Sequence, residues 1–308
     1  MISRLSTWLQ AFRLRTLPLA FGCVFLGTFQ PYHLDLISFD VFVLALLTTL
    51  CLQILSNLAN DYGDYKKGTD NVYRVGPKRS LQSGAISVKA MRNMLLAFVF
   101  LSFVSGLSLI YFALGFKSSI VPLFFVVLGL LSIWAAIKYT VGKKAYGYFG
   151  LGEVFVILFF GLAGVGGNYY LQTNTVSLGI VSLGISYGLL AAAVLNINNM
   201  RDIENDRNHN KNTLAVFLGA EKAATMQLLF IAGAFLFQAF YLSFLGSFPK
   251  NLLILVGFVP IAFNTLNVWN YKNLPDKLNP LLKGLSVSIF FNVVFMLVML
   301  ILLRTSVA

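Results

Sequence analysis

Residues 38–64 read SFDVFVLALLTTLCLQILSNLANDYGD. The first part of this stretch is predominantly apolar, and it is long enough for a helix to cross the roughly 30 Å hydrocarbon core of a membrane. The stretch then changes abruptly into the polar cluster NDYGD at residues 60–64. Carboxylates at the end of a membrane span are costly unless a cation or a proton occupies them. The stretch therefore predicts a transmembrane helix that ends in a divalent-metal site.

The composition of the whole chain agrees with a membrane protein. Hydrophobic residues make up 58% of the sequence, charged residues only 11%, and the mean hydropathy is +0.79, values that do not fit a soluble domain. The apolar runs show no alternating pattern, which argues against a transmembrane barrel. We therefore expect an all-α integral membrane protein, a single domain over residues 1–308 and a bundle of nine transmembrane helices. The expected spans lie near residues 14–31, 38–60, 92–115, 119–137, 150–170, 176–199, 223–246, 251–270 and 283–303.

The basic residues predict the orientation of this bundle, because short loops rich in Lys and Arg stay in the cytoplasm. With nine spans and a cytoplasmic N-terminus, 20 of the 23 basic residues fall in cytoplasmic segments. Only Lys117, Lys250 and Arg304 remain outside. This arrangement predicts a C-terminus outside and places the polar cluster on the cytoplasmic side. The bases are dispersed among short loops, so nucleic acid is a poor candidate partner.

A second acidic cluster, DIEND at residues 202–206, follows the sixth predicted span. In the first cluster, side chains with oxygen ligands are spaced at i, i+3, i+4 and i+7, which places them on one stripe of a helix. That stripe consists of Asn57, Asn60, Asp61 and Asp64. The second cluster repeats the pattern at successive i+4 steps with Asn198, Asp202 and Asp206. Two such stripes facing each other would leave room between them for a metal-bound diphosphate.

Carboxylate and amide oxygens are the ligands that Mg²⁺ prefers, together with water and substrate phosphates. The candidate metal ligands are Asn60, Asp61, Asp64, Asp70, Asp202 and Asp206. Of these, Asp70 lies past Gly68 and is expected beyond the helix. The alternative is that these acids are solvated loop ends paired with neighbouring Lys and Arg side chains.

Basic residues lie beside both acidic clusters. They suit a diphosphate, which carries more negative charge than one Mg²⁺ neutralises, because Lys and Arg stabilise charge that develops on a leaving group. The candidates for such contacts are Lys66, Lys67, Lys78, Arg79, Arg201, Arg207 and Lys211. For each base taken singly, a role in setting membrane topology remains open.

These features resemble the UbiA superfamily of intramembrane prenyltransferases, whose two motifs are NxxxDxxxD and DxxxD. Asn60 and Asp64 match the first motif, and Gly68 stands where that motif has its last aspartate. Asp202 and Asp206 match the second motif. Glycine at this place occurs in one branch, the 1,4-dihydroxy-2-naphthoate polyprenyltransferases, which typically read NDYGDxxKGxDN.

Residues 60–71 agree with every fixed position of the branch pattern, and similar sequence continues along nearly the whole chain. Two departures occur. Asn210 stands where the branch usually has Gly before the second-loop lysine, and Lys143-Lys144 replace a Gly-Pro pair. Asn210 is expected to change how its loop turns, since glycine adopts conformations that other residues rarely do.

The resemblance implies transfer of a polyprenyl group from polyprenyl diphosphate to 1,4-dihydroxy-2-naphthoate, with release of diphosphate and CO2 to give demethylmenaquinol in menaquinone biosynthesis. It implies Mg²⁺ as cofactor and an active site on the cytoplasmic side of a bacterial-type inner membrane, with the isoprenoid tail among lipid-exposed helices. It also singles out Arg79 and Lys211, with Asp64 and Asp202, as the catalytic set.

Several further residues are candidates for substrate contact, including Asn57, Asn60 and Asn198 on the two stripes. Tyr139, Tyr146 and Tyr148 lie at the cytoplasmic ends of the fourth and fifth predicted spans, where an aromatic ring would contact the substrate or a carbocation. Glu153 is an acid within an apolar span, and two roles remain open: binding or deprotonating the hydroxynaphthoate, or pairing with a loop base such as Lys143. Arg15 would contact a substrate anion or extend its charge to the membrane surface.

Two other functions compete with this prediction. A prenyltransferase that uses 4-hydroxybenzoate or another aromatic acceptor would keep the chemistry, although the NDYGDxxKGxDN pattern argues against it. A cation-coupled transporter would place its acids near the middle of the membrane on interrupted helices. Here the acids lie at the ends of spans beside bases that suit phosphate, which favours the enzyme.

Overall fold

A computed structural model describes residues 4–29, 37–71, 75–115, 119–245 and 250–305, without the side chains of Arg4, Arg15, Arg304 and Thr305. The described residues form helices and contain no strand, which confirms the all-α prediction. The helices are α1 Arg4–Phe12, α2 Leu17–Thr28, α3 Phe39–Lys66, α4 Val88–Leu114, α5 Ile120–Lys138, α6 Gly152–Val156, α7 Asn168–Thr173, α8 Leu178–Arg201, α9 Ile203–Asn208, α10 Leu214–Ser243, α11 Val259–Asn270 and α12 Pro275–Thr305.

Two of the membrane-crossing segments are composite. An unusually wide π-helical stretch, Ile157–Gly167, joins α6 to α7, so that Gly152–Thr173 acts as one span. A 3₁₀-helical stretch, Lys250–Phe258, leads directly into α11 and forms the span Lys250–Asn270. In the described part of the chain, eight segments are long and apolar enough to cross a membrane. The chain is therefore a multi-pass membrane protein.

The predicted span near residues 14–31 differs from the structure. Arg13 adopts a left-handed backbone conformation with φ 51°, and α1 and α2 meet there at an angle of 57°. The 12 residues of α2 reach about 18 Å at 1.5 Å per residue, which is short of the hydrocarbon core. A ninth crossing exists only if the bent pair counts as one span, so the count of nine stays a prediction.

The helix predicted near residues 223–246 begins earlier than expected, at Leu214. Its first turns are separated from the rest by Gly219, which has a non-helical φ of 73°. The change of direction at Gly219 explains why the hydropathy pattern located only the part that follows it.

Helix α8 is the most deeply enclosed of the spans. It packs against α10, α12 and the π-helical stretch, and Leu183, Tyr187 and Leu190 are completely buried there. A separate group of contacts forms around α3, which packs against α4 and α5. The polar ends of α3 and α8 carry the two acidic clusters, and these ends lie together.

Close backbone contact fixes the position of α8. A Cβ atom at Gly161 would lie only 2.3 Å from the carbonyl oxygen of Gly184. The π-helical stretch and α8 therefore touch backbone to backbone, a type of contact that small residues permit between membrane helices.

The outer faces of the bundle carry large apolar side chains that remain exposed. Examples are Leu96 and Phe100 on α4, Phe124 on α5 and Leu236 on α10. Apolar side chains over so much of the surface fit contact with lipid, since the bilayer interior is itself apolar.

Candidate functional site

The first acidic cluster is shaped by the way α3 ends. Gly68 has φ 76°, a left-handed conformation that ends helices and that residues with a side chain rarely adopt. The chain then folds back, and the N–H groups of Thr69 and Asp70 donate to the carbonyl oxygen of Asp64 at 3.0 and 3.3 Å. Gly68, which stands where the general motif has its last aspartate, therefore turns the chain so that Asp70 lies toward the acids on α3. The prediction that Asp70 lies beyond the helix is confirmed.

Asp61 faces two guanidinium groups. Arg13 contacts its Oδ1 atom directly, and Arg79 Nε lies 3.5 Å from the same oxygen. Arg79 also lies 3.9 Å from Asp70 Oδ1. With its amide oriented to suit both neighbours, Asn60 accepts from Arg13 Nη1 at 3.3 Å. The break at Arg13, which shortens the first span, thus places a cation against the first acidic cluster.

Asp64 links the two acidic clusters. Its Oδ1 accepts a hydrogen bond from the Tyr148 hydroxyl at 2.7 Å, and its Oδ2 lies 3.2 Å from Lys211 Nζ. The same ammonium group lies 3.8 Å from Oδ1 of Asp206. The structure therefore brings together side chains that are far apart in sequence, with one lysine between two carboxylates.

Asp202 forms a buried pair with its neighbour Arg201, whose Nε donates to Asp202 Oδ1 at 3.0 Å. The guanidinium also donates to Asn198 Oδ1 and to Asn279 Oδ1, each at 3.0 Å. Arg201 and Asn198 were predicted as substrate ligands, and here they hold Asp202 in place from α8, together with Asn279 of α12.

A network that the sequence pattern did not reveal ties the two loops together. Asn205 Nδ2 donates to the carbonyl oxygen of Thr69 at 2.9 Å, and Asn71 Nδ2 donates to Asn205 Oδ1 at 2.8 Å. The Thr69 hydroxyl lies 2.8 Å from that of Tyr148. Thr69, Asn71 and Asn205 all belong to the two matched motifs, so their positions beside the acids were the available signal.

Electrostatics favour a charged lysine in this cluster. Burial by itself would lower the pKa of Lys211, but the carboxylates of Asp64 and Asp206 outweigh it and raise the pKa above the usual lysine value. Lys67 behaves differently: partial burial lowers its pKa, while Asp64 opposes the decrease. Its ammonium lies 3.4 Å from the centre of the Tyr148 ring, a cation–π contact.

A close approach explains the glycine within the first cluster. A Cβ atom at Gly63 would lie 2.5 Å from Thr140 Oγ1 and 2.7 Å from the Thr140 carbonyl carbon. Thr140 also donates a hydrogen bond to the carbonyl oxygen of Ala59 at 2.9 Å. The end of α3 is thereby fixed against the turn after α5, which sets where Asp64 points.

Three predicted substrate ligands lie apart from the acids or are used by the fold. Lys66 is exposed beside the Tyr62 ring, 6.0 Å from its centre. Asn57 donates to the carbonyl oxygen of Phe12 at 2.9 Å and so ties α3 to the broken first segment. The Tyr146 hydroxyl donates to a backbone carbonyl of α5 at 3.0 Å. The side chain of Arg15 lies outside the described residues.

A cavity of about 270 Å³ opens beside Asp61. Its walls combine basic side chains with apolar ones, and the predicted substrate ligand Lys78 is one of the residues that line it. The lining includes Leu9, Arg13, Leu14, Asp61, Lys78 and Arg79. This mixture suits an anion that carries an apolar body.

The remaining candidates concern Glu153 and the two departures from the branch pattern. Glu153 is 3% exposed and accepts a hydrogen bond from Asn199 Nδ2 at 2.9 Å. Lys143 is exposed, so the structure favours Asn199 over that lysine as the partner of Glu153. Asn210 has φ 54°, the left-handed region that glycine adopts readily, so the loop keeps a turn of that kind.

The donor atoms of the site fit Mg²⁺. In the described part of the chain, no three Asp, Glu, His or Cys side chains are grouped closely enough to hold a metal ion by themselves. The acids instead have basic partners, and Lys211 lies between Asp64 and Asp206 as a divalent cation would. Buried carboxylate oxygens with amides nearby are the ligand chemistry of Mg²⁺, which fills its remaining positions with water and phosphate.

The sequence of the chain is similar to those of known prenyltransferases. The sequence model described as the UbiA prenyltransferase family matches residues 16–292. A Haemophilus influenzae protein named 1,4-dihydroxy-2-naphthoate octaprenyltransferase is 44% identical over 302 residues, which cover 97% of each chain. An Escherichia coli protein of the same name is 45% identical over 243 residues, or 78% of this chain and 77% of that one.

Among solved structures, a UbiA homolog from Archaeoglobus fulgidus bound to GPP and Mg²⁺ superposes with a TM-score of 0.63. The alignment covers 97% of this chain and 99% of the other at 16% identity, so it shows a shared fold.

Proposed function

Because the chain belongs to the UbiA prenyltransferase family, we propose that residues 1–308 form one domain that transfers a polyprenyl group from polyprenyl diphosphate to 1,4-dihydroxy-2-naphthoate. Diphosphate and CO2 leave, and the product is demethylmenaquinol, a precursor of menaquinone. The acceptor follows from the names of the Haemophilus influenzae and Escherichia coli relatives. The observation that supports this chemistry is that the Lys211 ammonium contacts Asp64 of the first acidic cluster and Asp206 of the second.

In this proposal Asp64, Asp202 and Asp206 would hold Mg²⁺, with Asp61 and Asp70 beside them. The bound ion would neutralise part of the charge on the diphosphate, as the Mg²⁺-bound relative suggests. Tyr148 orients Asp64 through its 2.7 Å hydrogen bond. Arg201 orients Asp202 in the same way, since its guanidinium is itself fixed by two asparagines.

The bases of the site bind the leaving group. Lys211 is buried and Arg79 is half-buried next to the acids, where a low dielectric strengthens their attraction to developing negative charge. As the C–O bond of the donor breaks, these cations stabilise the diphosphate and the allylic carbon becomes electron-poor. The electron-rich ring of the acceptor then attacks that carbon. No covalent bond between the enzyme and the prenyl group is needed.

We also propose where this reaction occurs. The acidic clusters lie on the cytoplasmic side of a bacterial-type inner membrane, the N-terminus is inside, and nine crossings place the C-terminus outside. This proposal rests on the distribution of basic residues. The isoprenoid tail lies among the exposed apolar side chains, in contact with membrane lipid.

The proposal is tested with the purified full-length protein in detergent, given Mg²⁺, octaprenyl diphosphate and either 1,4-dihydroxy-2-naphthoate or 4-hydroxybenzoate, with product mass as the measurement. We expect product from the naphthoate alone, and none after EDTA treatment. Asp64→Ala and Asp202→Ala should each lower the rate by about 10²-fold or more, because each removes a fixed charge from the leaving-group site.

A matched control is Asp40→Ala, which removes an exposed acid from the first turn of α3, at the other end of the same helix as Asp64. This variant should keep the wild-type rate. Turnover that persists in both site variants, or product formed from 4-hydroxybenzoate only, would contradict the proposal.

A further inference from the structure

Glu153 is the one charged side chain in the span Gly152–Thr173, and the reaction described above does not use it. It is 3% exposed, at the first turn of α6. One of its oxygens, Oε1, accepts a hydrogen bond from Asn199. The other, Oε2, is buried and has no hydrogen-bond partner among the described residues.

Such an atom is costly to keep. Buried polar groups in folded proteins nearly always have a hydrogen-bond partner. A buried carboxylate oxygen without one is unfavourable, because it has lost its hydration and no hydrogen bond replaces it. The Asn199 bond shows that the side chain is held in a fixed direction and does not turn away to the membrane surface. We therefore regard Oε2 as an acceptor that is reserved for a ligand with a hydrogen-bond donor.

The surroundings of Glu153 connect it to the active site. Asn199 lies on α8, and its carbonyl oxygen accepts from the N–H of Asp202 at 3.2 Å. The ring of Tyr139 packs on the neighbouring residue, because a Cβ atom at Gly152 would lie 3.2 Å from that ring and 3.6 Å from its hydroxyl. Burial raises the pKa of Tyr139, and the carboxylates of Glu153 and Asp64 raise it further. Asn199 therefore links Glu153 to Asp202, and the residue before Glu153 packs on Tyr139.

From this geometry, and resting on the proposed function, we propose that Glu153 Oε2 receives the hydroxyl group of the acceptor that lies next to its carboxylate. The ligand class is a hydroxylated aromatic acid. Its ring would lie along Tyr139, with the reacting carbon toward the end of α8 that carries Asp202. A carboxylate that accepts this hydrogen bond makes the ring a stronger nucleophile.

The hydroxyl proton moves to Oε2 while the ring carbon that bears the carboxylate bonds to the allylic carbon and the C–O bond of the donor breaks. The ring then carries a ketone beside a carboxylate on a saturated carbon. Loss of CO2 returns the electron pair to the ring, and the proton returns from Oε2 to the oxygen, which regenerates both the hydroquinone and the glutamate.

The test compares three acceptors with the full-length enzyme, Mg²⁺ and octaprenyl diphosphate. These are 1,4-dihydroxy-2-naphthoate, its 1-O-methyl ether, which lacks the relevant hydroxyl, and its 4-O-methyl ether, which keeps it. For the wild type we expect the 1-O-methyl ether to lower kcat/KM by about 10²-fold relative to the 4-O-methyl ether. In Glu153→Gln, kcat/KM for the parent acceptor should fall about 10²-fold, and the difference between the two ethers should disappear.

The KM for octaprenyl diphosphate should not change in Glu153→Gln, because the side chain does not contact the donor site. Glu221→Gln, which alters an exposed acid on α10, is the control and should match the wild type with all acceptors. If Glu153→Gln does not fold, Glu153→Asp keeps the carboxylate. That variant should be slower and still distinguish the two ethers.

Unchanged acceptor kinetics in Glu153→Gln would overturn the inference, and so would an equal loss with all three acceptors. A wild-type enzyme that fails to prenylate the parent naphthoate would instead overturn the proposed function itself. The two failures are thus distinguished in one set of assays.

Discussion

Among single residues, the basic partners of the acids carry the most information about the site. Arg13 and Arg79 meet Asp61, and Arg201 meets Asp202. A buried carboxylate is stable only when it is paired and hydrogen-bonded, so removing one partner of such a pair is far more damaging than removing both. The sequence motifs indicated the acids and most of the bases. They could not assign the pairs, because which base meets which acid depends on contacts between distant loops.

The residue Asn210 offers a test at this scale. It adopts φ 54° in the turn just before Lys211, and its side chain is exposed. Asn210→Gly should leave activity and thermal stability nearly unchanged, since glycine adopts this conformation freely. Asn210→Val should lower the free energy of unfolding by about 1–2 kcal/mol, because a β-branched residue is strained there.

The measurement is thermal unfolding of the purified variants together with their rates on the naphthoate. The valine variant should also lose activity, as displacement of the turn moves Lys211 away from Asp64. Equal stability of the glycine and valine variants would show that the turn does not require a left-handed residue.

At the scale of helices, the end of α3 determines how the first acidic cluster is presented. Gly63 allows α3 to touch the turn at Thr140, and a side chain at this position has no room. We expect Gly63→Ala to push the end of α3 away from that turn. Activity should fall by more than about 10-fold, and the free energy of unfolding should fall by about 1–3 kcal/mol, the usual cost of overpacking.

Gly129→Ala in α5 is the matched substitution, because a Cβ atom there would meet nothing within 4 Å. It should keep full activity and gain up to about 1 kcal/mol of stability, since alanine is the better helix former. A Gly63→Ala enzyme with wild-type rate and stability would show that the contact with Thr140 does not position Asp64.

The helices themselves were largely predictable, and the exceptions have local causes. Hydropathy located α3, α4, α5, α8 and α12 because each is a long apolar run. It could not show the left-handed conformation of Arg13 that breaks the first segment. Hydropathy is averaged over many residues and does not depend on the backbone angles of one of them. The early start of α10 was missed for the same reason, as it depends on Gly219.

At the scale of the whole molecule, the distribution of basic residues predicts which side of the membrane each loop faces. Lys89 and Lys250 are both exposed, and five of the candidate spans lie between them. An odd number of crossings places the two lysines on opposite sides. The distribution of bases predicts that Lys89 is inside and Lys250 outside.

This prediction is tested by replacing the two buried cysteines, Cys23 and Cys51, with alanine and then introducing Lys89→Cys or Lys250→Cys. In intact cells, a thiol reagent that does not cross membranes should label Lys250→Cys. It should label Lys89→Cys only after the cells are made permeable. The reverse pattern would place the acidic clusters outside and contradict the proposed orientation.

The arrangement of Lys211 between Asp64 and Asp206 has a consequence for handling the protein. Two carboxylates from opposite halves of the bundle would repel each other if a chelator stripped away their divalent ion. An intrinsic counter-ion, supplied by the chain, prevents that repulsion. Activity is therefore expected to disappear on chelation and to return when the ion is restored, with the fold intact throughout the cycle.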